Sequence, residues 1–138
     1  LGATDVVDAS SGNVVQNVLS LTDDGVDYSF EAIGTKDTGE QCFEVLRPGG
    51  TATIIGMIPN GTKIELDGRS FLGERKIQGS SMGSNRFRID MPRYLEYYRQ
   101  GRLKLDELVS QRIKLDQVNK AFDDMRQGHI ARSVVTFD

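Results

Sequence analysis

Val14, Val15, Val18, Leu19 and Thr22 recur at helical spacing, and Asp23-Asp24-Gly25 ends the run. Over Val26-Asp27-Tyr28-Ser29-Phe30-Glu31-Ala32 apolar and polar residues alternate, which is the period of a strand, and Gly34 breaks it. Asp37 and Glu40 have capping-box spacing, with Asp in the place of Ser or Thr, and predict a helix with Cys42, Phe43, Val45 and Leu46 at its apolar positions. Arg47-Pro48-Gly49-Gly50 stops that helix, because Pro cannot continue it and Gly tolerates positive φ. Residues 51–56 read as a short, mostly buried strand, and residues 5–7 as an opening one. Strand, helix, strand, helix, strand in sequence predicts an α/β unit on a parallel sheet.

Beyond it the pattern loosens. Pro59-Asn60-Gly61 marks a turn, residues 63–66 alternate as an edge strand does, and Ser70-Phe71-Leu72-Gly73 reads as a helical turn. Residues 75–81 read as a strand running into the flexible stretch Gly79-Ser80-Ser81-Met82-Gly83-Ser84. Asp90 then caps a helix with Pro92 in its first turn and Met91, Tyr94, Leu95 and Tyr98 on one face, closed by Gly101. A second helix is expected from Asp116, with Val118, Ala121, Phe122 and Met125 at the same spacing and Gly128 as its stop. Residues 133–137 read as a terminal strand.

Composition narrows the function classes. Seventeen Lys and Arg stand against twenty Asp and Glu, a net charge of -3 with no basic block, which disfavours nucleic acid and anionic membranes as partners. No apolar run approaches the roughly 18–20 residues that span a bilayer, and the opening Leu1-Gly2-Ala3-Thr4 has no leader-like succession of regions, so a cytoplasmic location is expected. A single cysteine, Cys42, excludes an internal disulfide and a cysteine-built zinc site, and it has no metal-ligand spacing to the single histidine, His129.

Chemistry is sparse along the chain. It holds neither a G-x-G-x-x-G nor a G-x-x-x-x-G-K-[ST] phosphate loop, and no G-x-S-x-G nucleophile elbow. Gly79-Ser80-Ser81-Met82-Gly83 reads either as a flexible loop or as backbone that approaches a ligand. Cys42 sits on an apolar helical face, as a core thiol does. His129 follows a helix-ending Gly, where a positive charge suits the helix C-terminus. Glu31 reads as a solvated or hydrogen-bonded carboxylate, and Arg132 has the guanidinium that binds phosphate bidentately or simply solvates a surface.

Taken in order, five motifs resemble the medium-chain zinc-type alcohol dehydrogenases: Gly25-Val26-Asp27-Tyr28-Ser29-Phe30-Glu31-Ala32-Ile33-Gly34, Leu46-Arg47-Pro48-Gly49-Gly50-Thr51, Ile54-Ile55-Gly56-Met57, Ile77-Gln78-Gly79-Ser80 and Ala131-Arg132-Ser133-Val134-Val135-Thr136-Phe137. The resemblance covers essentially the whole chain. It implies that residues 1–85 are the second half of a Rossmann-type doubly wound parallel sheet, and that residues 86–138 are the C-terminal return segment of the catalytic domain. It also implies that the pyrophosphate loop, the ribose-gripping acid and the zinc ligands lie outside these residues. The chain then reads as the C-terminal part of a zinc-dependent, NAD- or NADP-linked alcohol dehydrogenase. Such an enzyme transfers hydride between an alcohol or aldehyde and the nicotinamide. This part has no catalytic or metal-binding residue of its own and is expected to be inactive alone.

The same resemblance assigns cofactor contacts. Ala32, Ile33 and Thr35 correspond to the wall of the adenine pocket. Ile55, Gly56 and Met57 correspond to the nicotinamide-ribose contact, with Met57 where the family often has Val or Pro. Ser80, Ser81 and Met82 correspond to the backbone that holds the carboxamide, and Arg132 to the guanidinium on the pyrophosphate. The resemblance implies a homodimer or tetramer, with residues 63–66 pairing across a two-fold axis. Zinc-free quinone and enoyl reductases share this nucleotide domain. Val45-Leu46-Arg47-Pro48-Gly49-Gly50 also occurs in S-adenosylmethionine methyltransferases, and an isolated non-catalytic fragment of the fold is a third reading. If the family's strand order holds, strands 1 and 2 are missing and the strand at residues 26–32 has an open edge. That edge is expected to be filled by residues 1–7 crossing over, by a second copy, or by residues outside this sequence.

Overall fold

The computed structural model describes residues 2–137. Two compact units result, one of Ala3–Asn85 and one built from Arg86 onward.

In the first unit α1 (Val14–Leu21) is capped by Asn13, whose side chain accepts the Gln16 N–H at 3.1 Å. Strand β1 (Val26–Glu31), helix α2 (Lys36–Glu44), strand β2 (Leu46–Ile54) and strand β3 (Lys76–Gly79) follow. The three strands form one parallel sheet in the order β1-β2-β3. A six-residue 3-10 turn, Gly68–Gly73, precedes β3, as the helical turn expected there required.

The core lies between α2 and the sheet. Cys42, Phe43, Leu46 and Ala52 are buried, with Val26, Ile54, Leu66 and Ile77 packed against them. Phe43 meets Phe71 of the 3-10 turn with ring centroids 4.9 Å apart, in the tilted geometry aromatic pairs favour.

Several expectations change. The capping box of α2 is Thr35 with Thr38, and Asp37 is only an acid in the first turn. Glu40 instead accepts the N–H of Glu65 at 2.7 Å, and Lys36 of the same helix pairs with the Glu65 side chain. Residues 63–66 therefore lie against α2 and form no strand within the chain. Arg47-Pro48-Gly49-Gly50 does not end the helix ahead of a strand; it lies inside β2. The register passes from Val26 opposite Leu46 to Tyr28 opposite Thr51, so these four residues bulge out, and Arg47 pairs with Asp27 across the bulge.

Residues 5–7 form no strand, and Val6 is 87% exposed. A strand exists only where a neighbour completes its ladder, and the sheet offers these residues none. Residues 2–7 do not cross over to β1, whose outer edge has no ladder partner among the described residues. Along β1, Ser29 and Glu31 turn toward α2: the Ser29 hydroxyl donates to the Cys42 carbonyl. Tyr28 and Phe30 are left 70% and 65% exposed. The alternation is that of a strand, yet its polar residues face the helix.

In the second unit α3 (Phe87–Arg99) begins earlier than the Asp90-Pro92 signal predicts. Asp90 lies inside it and reaches back to the Arg86 N–H at 2.7 Å, and Pro92 sits within the helix beyond its first turn. Strand β4 (Gln111–Ile113), unrecognised in the sequence, pairs in parallel with β5 (Ser133–Val135). The terminal strand is thus shorter than residues 133–137. Between them a 3-10 turn at Leu115–Gln117 holds Asp116 and leads into α4 (Val118–Arg126). Ile113 and Ala121 are the buried apolar side chains there.

Candidate functional site

Parallel strands end together, and in this sheet they end in register. Glu31 stands opposite Ile54, and Ile54 opposite Gly79. The chain continues from each end into a loop, and the loops stay tied to one another. The Ile55 and Gly56 N–H groups donate to the Glu31 carbonyl at 2.8 and 3.0 Å, and the Ser80 N–H donates to the Ile54 carbonyl at 2.9 Å. Nine of the residues singled out above therefore belong to three adjacent segments at the carboxyl edge of one sheet: Ala32, Ile33 and Thr35 after β1; Ile55, Gly56 and Met57 after β2; Ser80, Ser81 and Met82 after β3. All lie just beyond the strands that were expected to contain some of them.

This edge exposes large apolar side chains. Ile33 is 77%, Met57 92% and Met82 71% exposed. Met82 and Ser84 adopt positive φ around Gly83, so the last loop folds tightly back, closed by the Ser84 N–H on the Ser81 carbonyl at 2.8 Å. Arg132, by contrast, is in the other unit. It is exposed, its N–H donates to the Ser110 hydroxyl at 3.2 Å, and its carbonyl accepts the Ser110 N–H at 2.9 Å.

Two glycines fix how closely the first two loops approach. Gly34 has φ +91°, and a Cβ there would stand 2.6 Å from the Met57 carbonyl oxygen. A Cβ on Gly56 would stand 2.3 Å from Glu31 Oε2 and 2.4 Å from the Gly34 nitrogen. Gly56 is thus demanded by internal packing, whatever else its bare backbone permits.

Glu31 is the residue whose importance the sequence concealed. It is 3% exposed. Its Oε1 accepts the Ile33 and Gly34 N–H groups, each at 2.7 Å, and the Thr38 hydroxyl at 2.8 Å. Its Oε2 is buried without a hydrogen-bond partner among the described residues. Burial disfavours the charge, but the Gly34 N–H, the Thr38 hydroxyl, the Ile33 N–H and the nearby Gly56 N–H outweigh it and hold the carboxyl below its ordinary value. A carboxylate at the end of a strand, followed two and three residues on by Ile-Gly and seven residues on by a capping Thr, is the signal that marks it.

Cys42 is a core thiol, as expected. It is 7% exposed, and burial pushes its pKa up despite its contact with the Ser29 hydroxyl at 3.2 Å. His129 closes α4 through its backbone, donating to the Asp124 carbonyl at 3.0 Å. Among the described residues no group of three or more His, Cys, Asp or Glu side chains is placed to hold a metal ion. None of their helices is long and apolar enough to cross a membrane.

Residues 1–97 match the family model for zinc-binding dehydrogenases. The chain belongs to that family. It is 37% identical over 138 residues to the probable S-(hydroxymethyl)glutathione dehydrogenase 1 of Schizosaccharomyces pombe, covering 97% of this chain and 36% of that protein. Among solved structures, benzyl alcohol dehydrogenase from Acinetobacter calcoaceticus superposes with a TM-score of 0.90 at 27% identity, covering 99% of this chain and 38% of that one. A protein from Sinorhizobium meliloti described as a "putative zinc-binding dehydrogenase", bound to NADP, superposes with a TM-score of 0.77 at 31% identity, covering 96% and 38%. The chain therefore spans little more than a third of the length of these relatives, and the α/β architecture with its parallel strands is that of the family.

Proposed function

We propose that this chain is the cofactor-facing, C-terminal part of an oxidoreductase that moves hydride between an alcohol or aldehyde and NAD or NADP. One observation supports this above the rest: three parallel strands end in register, and their loops form one apolar, backbone-rich edge. That is where doubly wound sheets bind nucleotides. In this reading Ala32, Ile33 and Thr35 wall the adenine side. Ile55, Gly56 and Met57 lie against the nicotinamide ribose. The backbone of Ser80, Ser81 and Met82 meets the carboxamide.

The residues present fit a nucleoside and a nicotinamide better than a diphosphate. Exposed Ile33, Met57 and Met82 offer apolar surface to rings, and Gly34 lies tight against the Met57 backbone. No glycine-rich phosphate loop is in the sequence. When bound, the nicotinamide supplies the hydride acceptor, and the protein supplies binding and orientation. Zinc does not fit: the described residues bring no set of ligands together, so no step of the chemistry is assigned to a metal held here. Assembly as a homodimer or tetramer, in the cytoplasm, belongs to the same reading.

Alcohol-dependent reduction of NAD or NADP tests it. The protein that contains this chain in full is expected to reduce one of the two with a primary alcohol when zinc is supplied, and the 138-residue chain alone to reduce neither. Failure of the longer protein across a panel of primary, secondary and benzylic alcohols, in both reaction directions, would overturn the reading.

A further inference from the structure

The two loops after β1 and β2 are not held by the sheet alone. Glu31 binds both of them. Through Oε1 it takes the Ile33 and Gly34 N–H groups and, from α2, the Thr38 hydroxyl. Through its main-chain carbonyl it takes the Ile55 and Gly56 N–H groups. Its Oε2 fills the space that a Cβ on Gly56 would need.

We propose that Glu31 is a positioning residue for dinucleotide binding, whose buried carboxylate fixes the Ile33-Gly34 turn and its spacing from Gly56-Met57. It touches no ligand itself. It acts by holding Ile33, Ile55 and Met57 in one arrangement before the ligand arrives, so that binding does not have to order them. This rests on the nucleotide reading above.

The geometry predicts what substitution does. Glu31→Gln keeps the length but offers one oxygen and one NH₂. If the oxygen takes the three donors, the NH₂ is forced against Gly56; if the amide is reversed, the NH₂ faces three donors. Thr38→Val removes one of the three donors, and with it the Thr38 half of the α2 capping box, and leaves both backbone N–H bonds to Glu31, whereas Thr38→Ser keeps the hydroxyl for both.

The experiment measures the dissociation constants of NAD and NADP for the full-length protein, together with amide hydrogen exchange at Ile33, Gly34 and Gly56. Leu46 and Ala52 in the core serve as the exchange reference. For E31Q, weakening of charge-assisted hydrogen bonds predicts about tenfold faster exchange at Ile33 and Gly34, unchanged exchange at the core amides, and about tenfold weaker binding of the dinucleotide. T38V is expected to move both readouts in the same direction by about threefold, and T38S to return them to wild type. If E31Q does not fold, the Thr38 pair decides alone. Loop amides that exchange faster while binding stays within about twofold of wild type would overturn the positioning role, since a merely structural residue changes the first and not the second. If the wild-type protein binds neither NAD nor NADP, the nucleotide reading fails and the positioning role falls with it, an outcome told apart by the absence of binding in every variant.

Discussion

Gly56→Ala is the most exacting substitution the structure offers. The added Cβ would stand 2.3 Å from Glu31 Oε2, 2.4 Å from the Gly34 nitrogen and 2.9 Å from the Gly34 Cα. Two of these three atoms are backbone, and the third belongs to a carboxylate held by three donors, so nothing nearby yields cheaply. Overpacking of this kind costs about 1–3 kcal/mol. If the carboxylate moves instead, at least one charge-assisted hydrogen bond worth about 1.5–3 kcal/mol is lost. Either route costs about 1.5–3 kcal/mol, a sizeable part of the roughly 5–15 kcal/mol that holds a domain folded. At this chain length that corresponds to a fall in Tm of about 5–10 °C. The control is Gly79→Ala, also at a strand end, where φ is ordinary and a Cβ meets nothing within 4 Å. That variant is expected within about 0.5 kcal/mol of wild type. Urea unfolding followed by circular dichroism measures both. A G56A protein within about 1 kcal/mol of wild type, or a G79A protein as unstable as G56A, would refute the packing argument.

Three further outcomes follow from the same contacts. Phe43→Ala empties a residue that is 2% exposed and packed against the Phe71 ring, and is expected to cost about 3–5 kcal/mol in denaturant unfolding. Because the folded Glu31 carboxyl is held below its unfolded value of 4.5, its contribution is complete above that pH and is lost as pH falls through the folded value. Acid titration of stability is expected to be shallower in E31Q than in wild type, and an identical acid limb in the two would contradict this. Cys42, buried and with its pKa raised, is expected to react with a thiol reagent only at the rate of unfolding, which comparison of native and urea-unfolded protein reads directly.

The α/β alternation was legible because α1, β1 and α2 are written in local periodicity and in turn residues such as Asp24-Gly25 and Gly34. What the local pattern cannot express is pairing. Residues 5–7 have strand composition and no neighbour, so they form none. Residues 63–66 alternate because Ile64 and Leu66 pack inward while Glu65 reaches α2, and alternation of that kind needs no ladder. Gln111–Ile113 is a strand only because Ser133–Val135 lies beside it, twenty-two residues later. Arg47–Gly50 looked like punctuation and is a bulge, since these four residues stand opposite Asp27 alone, three more than a regular ladder holds.

The candidate site was legible to a similar degree. Nine of its ten residues, assigned by the family resemblance, fall at one sheet edge because each follows a strand, although the periodicity alone ran the strands one or two residues too far. Arg132 lies in the other unit. Glu31 was visible as a carboxylate but not as a clamp, because its burial depends on Gly56, a residue brought beside it only by the pairing of β1 with β2.

Whether this edge binds a nicotinamide dinucleotide is decided most directly by titrating NAD, and separately NADP, into the isotopically labelled full-length protein and following backbone amide shifts. The account predicts saturable shifts concentrated at Ile33, Ile55, Gly56, Met57, Ser80, Ser81 and Met82, with Leu46 and Ala52 unmoved. Saturable binding of either dinucleotide with all of those amides unshifted would contradict it.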